Sequence, residues 1–368
     1  MIPWILDPIS NLLPAKFFSG AANVFSYVTF RTGMAAAVAF ILCLLLGPWF
    51  IRTLKKLKMG QHIREEGPEH HLAKSGTPTM GGLLVVGVIL ISTILWCKID
   101  SGDIWVALLS LVGFAAVGAY DDAQKLLKKQ NQGLGAWKKL LALTIICLLV
   151  AWLILYFGLR GEETTRLSVP FFKNWRPDVG IFLVPWIWLV MVGTSNAVNL
   201  TDGLDGLAIG GILIVSATFA VLAYVAGHIV MANYLFVPFV SGASELAVFL
   251  GATAGASLGF LWFNAHPAEV FMGDTGSLGL GGALGTAAIL IQQELLLVIA
   301  GGLFVWEALS VILQVGSFKL RGGKRIFRMA PFHHHMELGG LKETKVVIRL
   351  WIMAIVCSIL ALSSLKLR

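Results

Sequence analysis

Five aspartates and three consecutive histidines stand out because they sit in short polar motifs between long apolar stretches. The first motif is Ala119-Tyr120-Asp121-Asp122, with Lys125 following at helical spacing. Adjacent acids at the end of an apolar helix are costly unless solvated or employed. A solvated helix end paired with Lys125 is one reading. A metal or acid/base site beside a basic loop is the other.

The second motif runs Gly193-Thr194-Ser195-Asn196-Ala197-Val198-Asn199-Leu200-Thr201-Asp202-Gly203-Leu204-Asp205-Gly206. A plain turn needs one or two such residues. This density of Asn, Asp and Gly suggests a polar pocket for a nucleotide or metal rather than a tight hairpin loop. The third runs from Phe263 to Ser277 and contains Asn264, Phe271 and Asp274. Asp274 immediately precedes an apolar run. It suits a helix cap, and equally a hard cation that takes oxygen ligands. The fourth is Arg328-Met329-Ala330-Pro331-Phe332-His333-His334-His335-Met336-Glu337-Leu338. Three successive histidines share no helix face and lack zinc-site spacing. With Lys319, Arg321, Lys324, Arg325 and Arg328 before them, a loop touching phosphate or nucleotide is favoured over a solvated loop.

Together these residues are the set that phosphoryl transfer requires. Cations offset developing negative charge, lysines hold phosphates, and a carboxylate can take a proton.

The elements that must carry the motifs are membrane helices. Of 368 residues, 57% are hydrophobic and 13% charged, against about 25% charged in soluble domains. Ten charge-poor runs approach the length of a membrane span. They are Thr32–Ile51, Thr79–Cys97, Ile104–Tyr120, Leu140–Leu159, Val179–Asn199, Leu207–Ala226, Leu246–Asn264, Thr275–Gln293, Leu295–Phe318 and Leu350–Leu365. The rest of the stretch from Gly206 to Ser244, with His228, Asn233, Pro238 and Gly242, reads as a loop or interfacial segment. No internal repeat and no linker are visible, so residues 1–368 form one integral domain. The start lacks the pattern of a cleavable signal peptide.

Basic residues concentrate in the loops Arg52–Thr79, Asp121–Lys139 and Lys319–Arg349. The positive-inside rule puts these in the cytoplasm, with both termini on the opposite, periplasmic side. The net charge of +8 is thus explained by topology and anionic lipid rather than by nucleic acid. The four cysteines, far apart in or at the ends of apolar runs, are packing residues.

At these motifs the chain resembles the polyprenyl-phosphate N-acetylhexosamine-1-phosphate transferase superfamily, and most closely its peptidoglycan branch. The resemblance covers nearly the whole length. It includes Phe25-Ser26-Tyr27, Gly76-Thr77-Pro78-Thr79-Met80-Gly81-Gly82, Asp121-Asp122, the Asn196–Gly206 motif, Phe271-Met272-Gly273-Asp274, Gly316-Ser317-Phe318-Lys319 and the histidine segment. It implies a homodimeric, all-α polytopic enzyme of the bacterial inner membrane, with ten transmembrane helices and cytoplasmic active-site loops. The implied donor is UDP-N-acetylmuramoyl-pentapeptide, the acceptor undecaprenyl phosphate, and the products lipid I and UMP.

The resemblance also assigns roles. Asp274 is the implied Mg²⁺ ligand. Asp121 and Asp122 are the acid pair near metal and lipid phosphate, with Asp121 as base. Lys74, Asn199, Asp202, Asp205, Asn264 and Phe271 line the nucleotide pocket, where Phe271 stacks on uracil. His333 and His334 lie near the substrate phosphates. Lys125 contacts phosphate, as does Lys138 or its neighbour Lys139. Direct attack by the lipid phosphate and a covalent aspartyl intermediate both fit this set.

Three other readings compete. A sibling enzyme would use UDP-N-acetylglucosamine. A transporter would explain Glu307 inside an apolar run, although its polar motifs would gather near the bilayer midplane rather than at one face. Glu307 is better read as an interior hydrogen-bonded acid or a helix break. A lipid-binding or assembly scaffold would need no carboxylate cluster.

Overall fold

The computed structural model describes residues 24–57, 76–128, 133–161, 163–172 and 175–365. These are helical apart from short connections, with one isolated antiparallel bridge between Arg166 and Asp178. In chain order the helices are α1 (Val28–Lys56), α2 (Gly82–Trp96), α3 (Gly102–Lys128), α4 (Ala136–Phe157), α5 (Leu183–Thr201) and α6 (Leu207–Ala226). They continue with α7 (Ile229–Leu235), α8 (Ala243–Asn264), α9 (Gly273–Leu290), α10 (Glu294–Ala300), α11 (Gly302–Leu320), α12 (Phe332–Glu337) and α13 (Glu343–Ser363).

Every expected apolar run is helical. Among the described residues, eight helices are long and apolar enough to cross a membrane: α1, α3, α4, α5 with its leading turn from Gly180, α6, α8, α11 and α13. The chain is therefore an all-α polytopic membrane protein. The segment after α6 holds only the seven-residue α7, too short to span. One expectation needs correction. The run Leu295–Phe318 is not a single helix but α10 and α11, interrupted at Gly301. Paired glycines release the helix there, and Gly302 lies so close to α13 that a Cβ would meet Cys357 Sγ at 2.7 Å.

The core is organised by α8 and α9, which are buried around almost their whole circumference. Lipid tails are as apolar as the side chains, so helices in a bilayer associate through close packing more than through hydrophobicity. The small residues serve that end. Gly251, Gly255 and Gly259, four apart on α8, face Thr32, Ala36 and Phe40 of α1 with no room for a Cβ. Gly276, Gly279, Gly281 and Gly282 bring α9 equally close to α2, α3 and α5. A buried bidentate pair, Arg31 to Glu245 with both contacts at 2.6 Å, ties α1 to α8.

Candidate active site

Three of the motifs converge where the C-terminal end of α3 meets the N-terminal end of α9. Carboxylate oxygens of Asp121, Asp122 and Asp274 lie within 4.8 Å of one another. Gly118 makes this approach possible, since a Cβ there would collide with the Asp274 carbonyl oxygen. Gly273 takes φ +73°, a left-handed conformation that glycine adopts without strain.

The two members of the acid pair are used differently. Asp122 is spent on α9. Its carboxylate accepts the N–H groups of Asp274 at 3.2 Å and Thr275 at 3.0 Å, and the Thr275 hydroxyl at 2.8 Å. Free N–H groups and the dipole of a helix start favour such a carboxylate. Asp274 was a candidate cap by position, yet the capping carboxylate comes from a different helix. Asp121 accepts the Leu134 N–H at 2.6 Å through Oδ1 and pairs with Lys125 Nζ at 2.7 Å through Oδ2.

Lys125 Nζ also lies 3.0 Å from Asp274 Oδ2 and 3.8 Å from Asp122 Oδ1. Lys139 Nζ reaches the same Asp274 oxygen at 2.8 Å. Lys138, the candidate of the pair placed first from the sequence, is exposed, and the contact belongs to Lys139. Asn199 completes the surroundings, its amide donating to Asp274 Oδ1 and to Ser277 Oγ, each at 2.8 Å. An ammonium amid three carboxylates shows what this donor set favours, which is a cation with oxygen ligands. Asp121, Asp122 and Asp274 therefore fit a hard divalent ion.

The remaining candidates lie around this cluster. Asp202 follows the last residue of α5 and is half-buried. Burial, reinforced by the negative charges of Asp274, Asp122 and Asp205, pushes its carboxyl up to about 8. Asp205 Oδ2 faces His266 Nδ1 at 2.9 Å and accepts the Ala268 N–H at 3.2 Å. Glu343, in the first turn of α13, accepts the Asp205 N–H at 3.0 Å and lies 3.5 Å from the same His266 nitrogen. Asn264 is engaged with the backbone. Its Oδ1 accepts from Gly206 N–H at 3.1 Å, and its amide donates to Val270 O at 2.9 Å. Phe271 is half-buried, and its N–H donates to Pro78 O at 2.8 Å, docking the Gly76–Gly82 motif beside Asp274. Lys74 lies outside the described residues.

On α12, His333 is buried against Glu307 of α11, and His334 Nδ1 faces Glu337 at 2.9 Å. Glu307 is thus an interior hydrogen-bonded acid. The sequence left Lys139 as the alternative to Lys138, and did not single out Thr275, Ser277, His266 or Glu343 as parts of these clusters. His266 lies inside a motif already notable for its polarity. Glu343 carries no local signal, because it joins its cluster only through the packing of α13.

Comparison with known proteins decides the family. Residues 104–292 match glycosyl transferase family 4, and residues 74–86 match the phospho-N-acetylmuramoyl-pentapeptide-transferase signature 1. The phospho-N-acetylmuramoyl-pentapeptide-transferase of Desulfotalea psychrophila is 54% identical over 358 residues, covering 97% of this chain and 99% of the relative. The chain belongs to the phospho-N-acetylmuramoyl-pentapeptide-transferase family. The proteins of that name from Desulforapulum autotrophicum and Oleidesulfovibrio alaskensis are each 52% identical, over 346 and 369 residues, covering 94% and 100% of this chain and 96% and 100% of the relatives. The family signature spans the Gly76–Gly82 motif that packs against Phe271.

Proposed function

We propose that this chain transfers phospho-N-acetylmuramoyl-pentapeptide from UDP-N-acetylmuramoyl-pentapeptide to undecaprenyl phosphate. The products are lipid I and UMP, and the reaction is the first membrane step of peptidoglycan synthesis. The observation that carries this reading is near-full-length identity of 54% to a protein named for the transfer. The convergence of acids and lysines from α3, α4 and α9 supplies suitable chemistry.

Within this reading, Asp274 and Asp121 would hold Mg²⁺, with Asp122 anchoring the N-terminus of α9 behind them. Bound there, the ion supplies positive charge against the donor diphosphate. Asn199 orients the Asp274 carboxylate through Oδ1. Lys125 and Lys139 leave their carboxylate partners to hold phosphate oxygens as the substrates enter. Asp202, Asp205, Asn264 and Lys74 line the nucleotide pocket, and Phe271 stacks on uracil. His333 and His334 meet the donor phosphates. The acceptor phosphate is already anionic, so Asp121 positions it more than it removes a proton. The basic loops support a cytoplasmic position for this face by the positive-inside rule, and the acceptor enters sideways from the bilayer.

The test is UMP release by detergent-purified protein with undecaprenyl phosphate and UDP-N-acetylmuramoyl-pentapeptide, with Mg²⁺ or EDTA. Asp274→Asn is assayed alongside, and UDP-N-acetylglucosamine replaces the donor in parallel. Mg²⁺-dependent release with the muramoyl donor alone, lost in the variant, is expected. Release only with the acetylglucosamine donor would move the chain to the sibling activity. No release with either donor from folded protein would overturn the enzyme reading.

A further inference from the structure

Glu307 is 0% exposed within α11, and His333 is 1% exposed at the start of α12. Glu307 Oε2 accepts the His333 backbone N–H at 3.3 Å and faces His333 Nδ1 at 3.1 Å. An oxygen already receiving one N–H acts as an acceptor, so the ring nitrogen facing it carries the proton. The hydrogen bond at one ring nitrogen thereby decides what the other can do. That other nitrogen, Nε2, is buried and has no hydrogen-bond partner among the described residues. It points at Gly203, where a Cβ would collide with it. Gly203 adjoins Asp202, in the loop that closes the proposed nucleotide pocket.

A buried ring nitrogen left unpaired is costly, and native structures rarely tolerate it without a reason. A simple structural staple between α11 and α12 would be satisfied by the Nδ1 contact and would not require the opposite end of the ring to face this loop.

We infer that Glu307 is a positioning residue. It holds the His333 ring so that Nε2 faces the donor phosphates beside Gly203, and it balances the imidazolium charge that forms when Nε2 takes a proton from water and donates it in a hydrogen bond to a phosphate oxygen. This inference rests on the reading that the nucleotide-sugar binds here.

The test is a double-substitution cycle on the full chain, reading kcat/KM for UMP release. Thermal unfolding of each variant confirms folding, and ¹⁵N-histidine NMR reports the ring tautomer. Glu307→Ala is expected to lose about 10- to 100-fold, the range for removing an orienting partner of a functional histidine. Glu307→Gln keeps an acceptor but loses the charge, so its activity falls between the two. It carries the test if Glu307→Ala does not fold. In a His333→Ala background, replacing Glu307 costs nothing further. The wild-type ring is protonated at Nδ1, and Glu307→Ala redistributes that proton. An equal loss in both backgrounds, or a wild-type ring protonated at Nε2 alone, would overturn the inference while leaving the donor-site reading intact. A fully active His333→Ala would instead overturn the placement of His333 at the donor phosphates, and the inference with it.

Discussion

Lys139 Nζ lies 2.8 Å from Asp274 Oδ2, joining residues 135 positions apart in the chain. Lys138, one residue earlier on α4, is exposed. One step along a helix turns a side chain by about 100°, so only one of two adjacent lysines can face α9. Lys139→Ala should lower kcat/KM by about 10-fold or more, as expected for a hydrogen bond between charged groups. Lys138→Ala should stay within about twofold, the scale of an exposed charge. Steady-state UMP release by the two variants checks this, and a reversed order would assign the contact to the wrong lysine.

Lys125 sits among three carboxylates. Removing it leaves negative charges facing one another without their shared partner. Lys125→Met should therefore unfold at a lower temperature than wild type in EDTA. A cation that binds only the folded state stabilises it, and more so the more tightly it binds. Mg²⁺ should then raise the unfolding temperature of the variant by more than that of wild type. Thermal unfolding in detergent with and without Mg²⁺ measures both shifts. An equal rise in the two proteins would show that Lys125 and the cation do not compete for this charge.

Gly118 touches the Asp274 backbone, which cannot swing aside as a side chain can. Gly118→Ala should cost about 1–3 kcal/mol, the range for overpacking. It should also reduce activity more than an equally destabilising change far from the site, because it moves the α9 N-terminus away from Asp121. Unfolding and kcat measured together separate the two effects. Wild-type kcat in a destabilised Gly118→Ala would argue against such tight spacing.

The pH dependence of stability should carry the mark of Asp202. Its carboxyl is raised from 3.8 to about 8, so the folded chain keeps a proton that the unfolded chain releases above about pH 4. The contribution is complete below pH 4 and is lost as pH climbs toward 8. A single proton sets a limit of about 1.4 kcal/mol per pH unit. In EDTA, Asp202→Asn should therefore lose less stability than wild type between pH 5 and pH 8. Parallel curves for the two proteins would remove Asp202 as the source.

Much of the fold could be read from local sequence. Charge-poor runs are set by composition along the chain, and each became helical, with Leu295–Phe318 divided at Gly301. His228, Asn233, Pro238 and Gly242 mark the part of the Gly206–Ser244 stretch after α6 as a loop or interfacial segment, which agrees with the short α7. The motifs also named most members of the clusters, since Asp, Asn and His between apolar spans are costly and therefore conspicuous.

What the sequence determined by itself was the helices, the polar motifs and the kind of chemistry such residues can perform. Their partnerships were decided by tertiary structure. Asp122 caps a helix that begins about 150 residues later. Lys139 is selected over Lys138, and Glu307 becomes the partner of His333. The break at Gly301 is likewise set where α10 and α11 pack against α13. Each outcome depends on helix rotation and on how closely glycine-lined backbones approach, and neither quantity is encoded in any single segment.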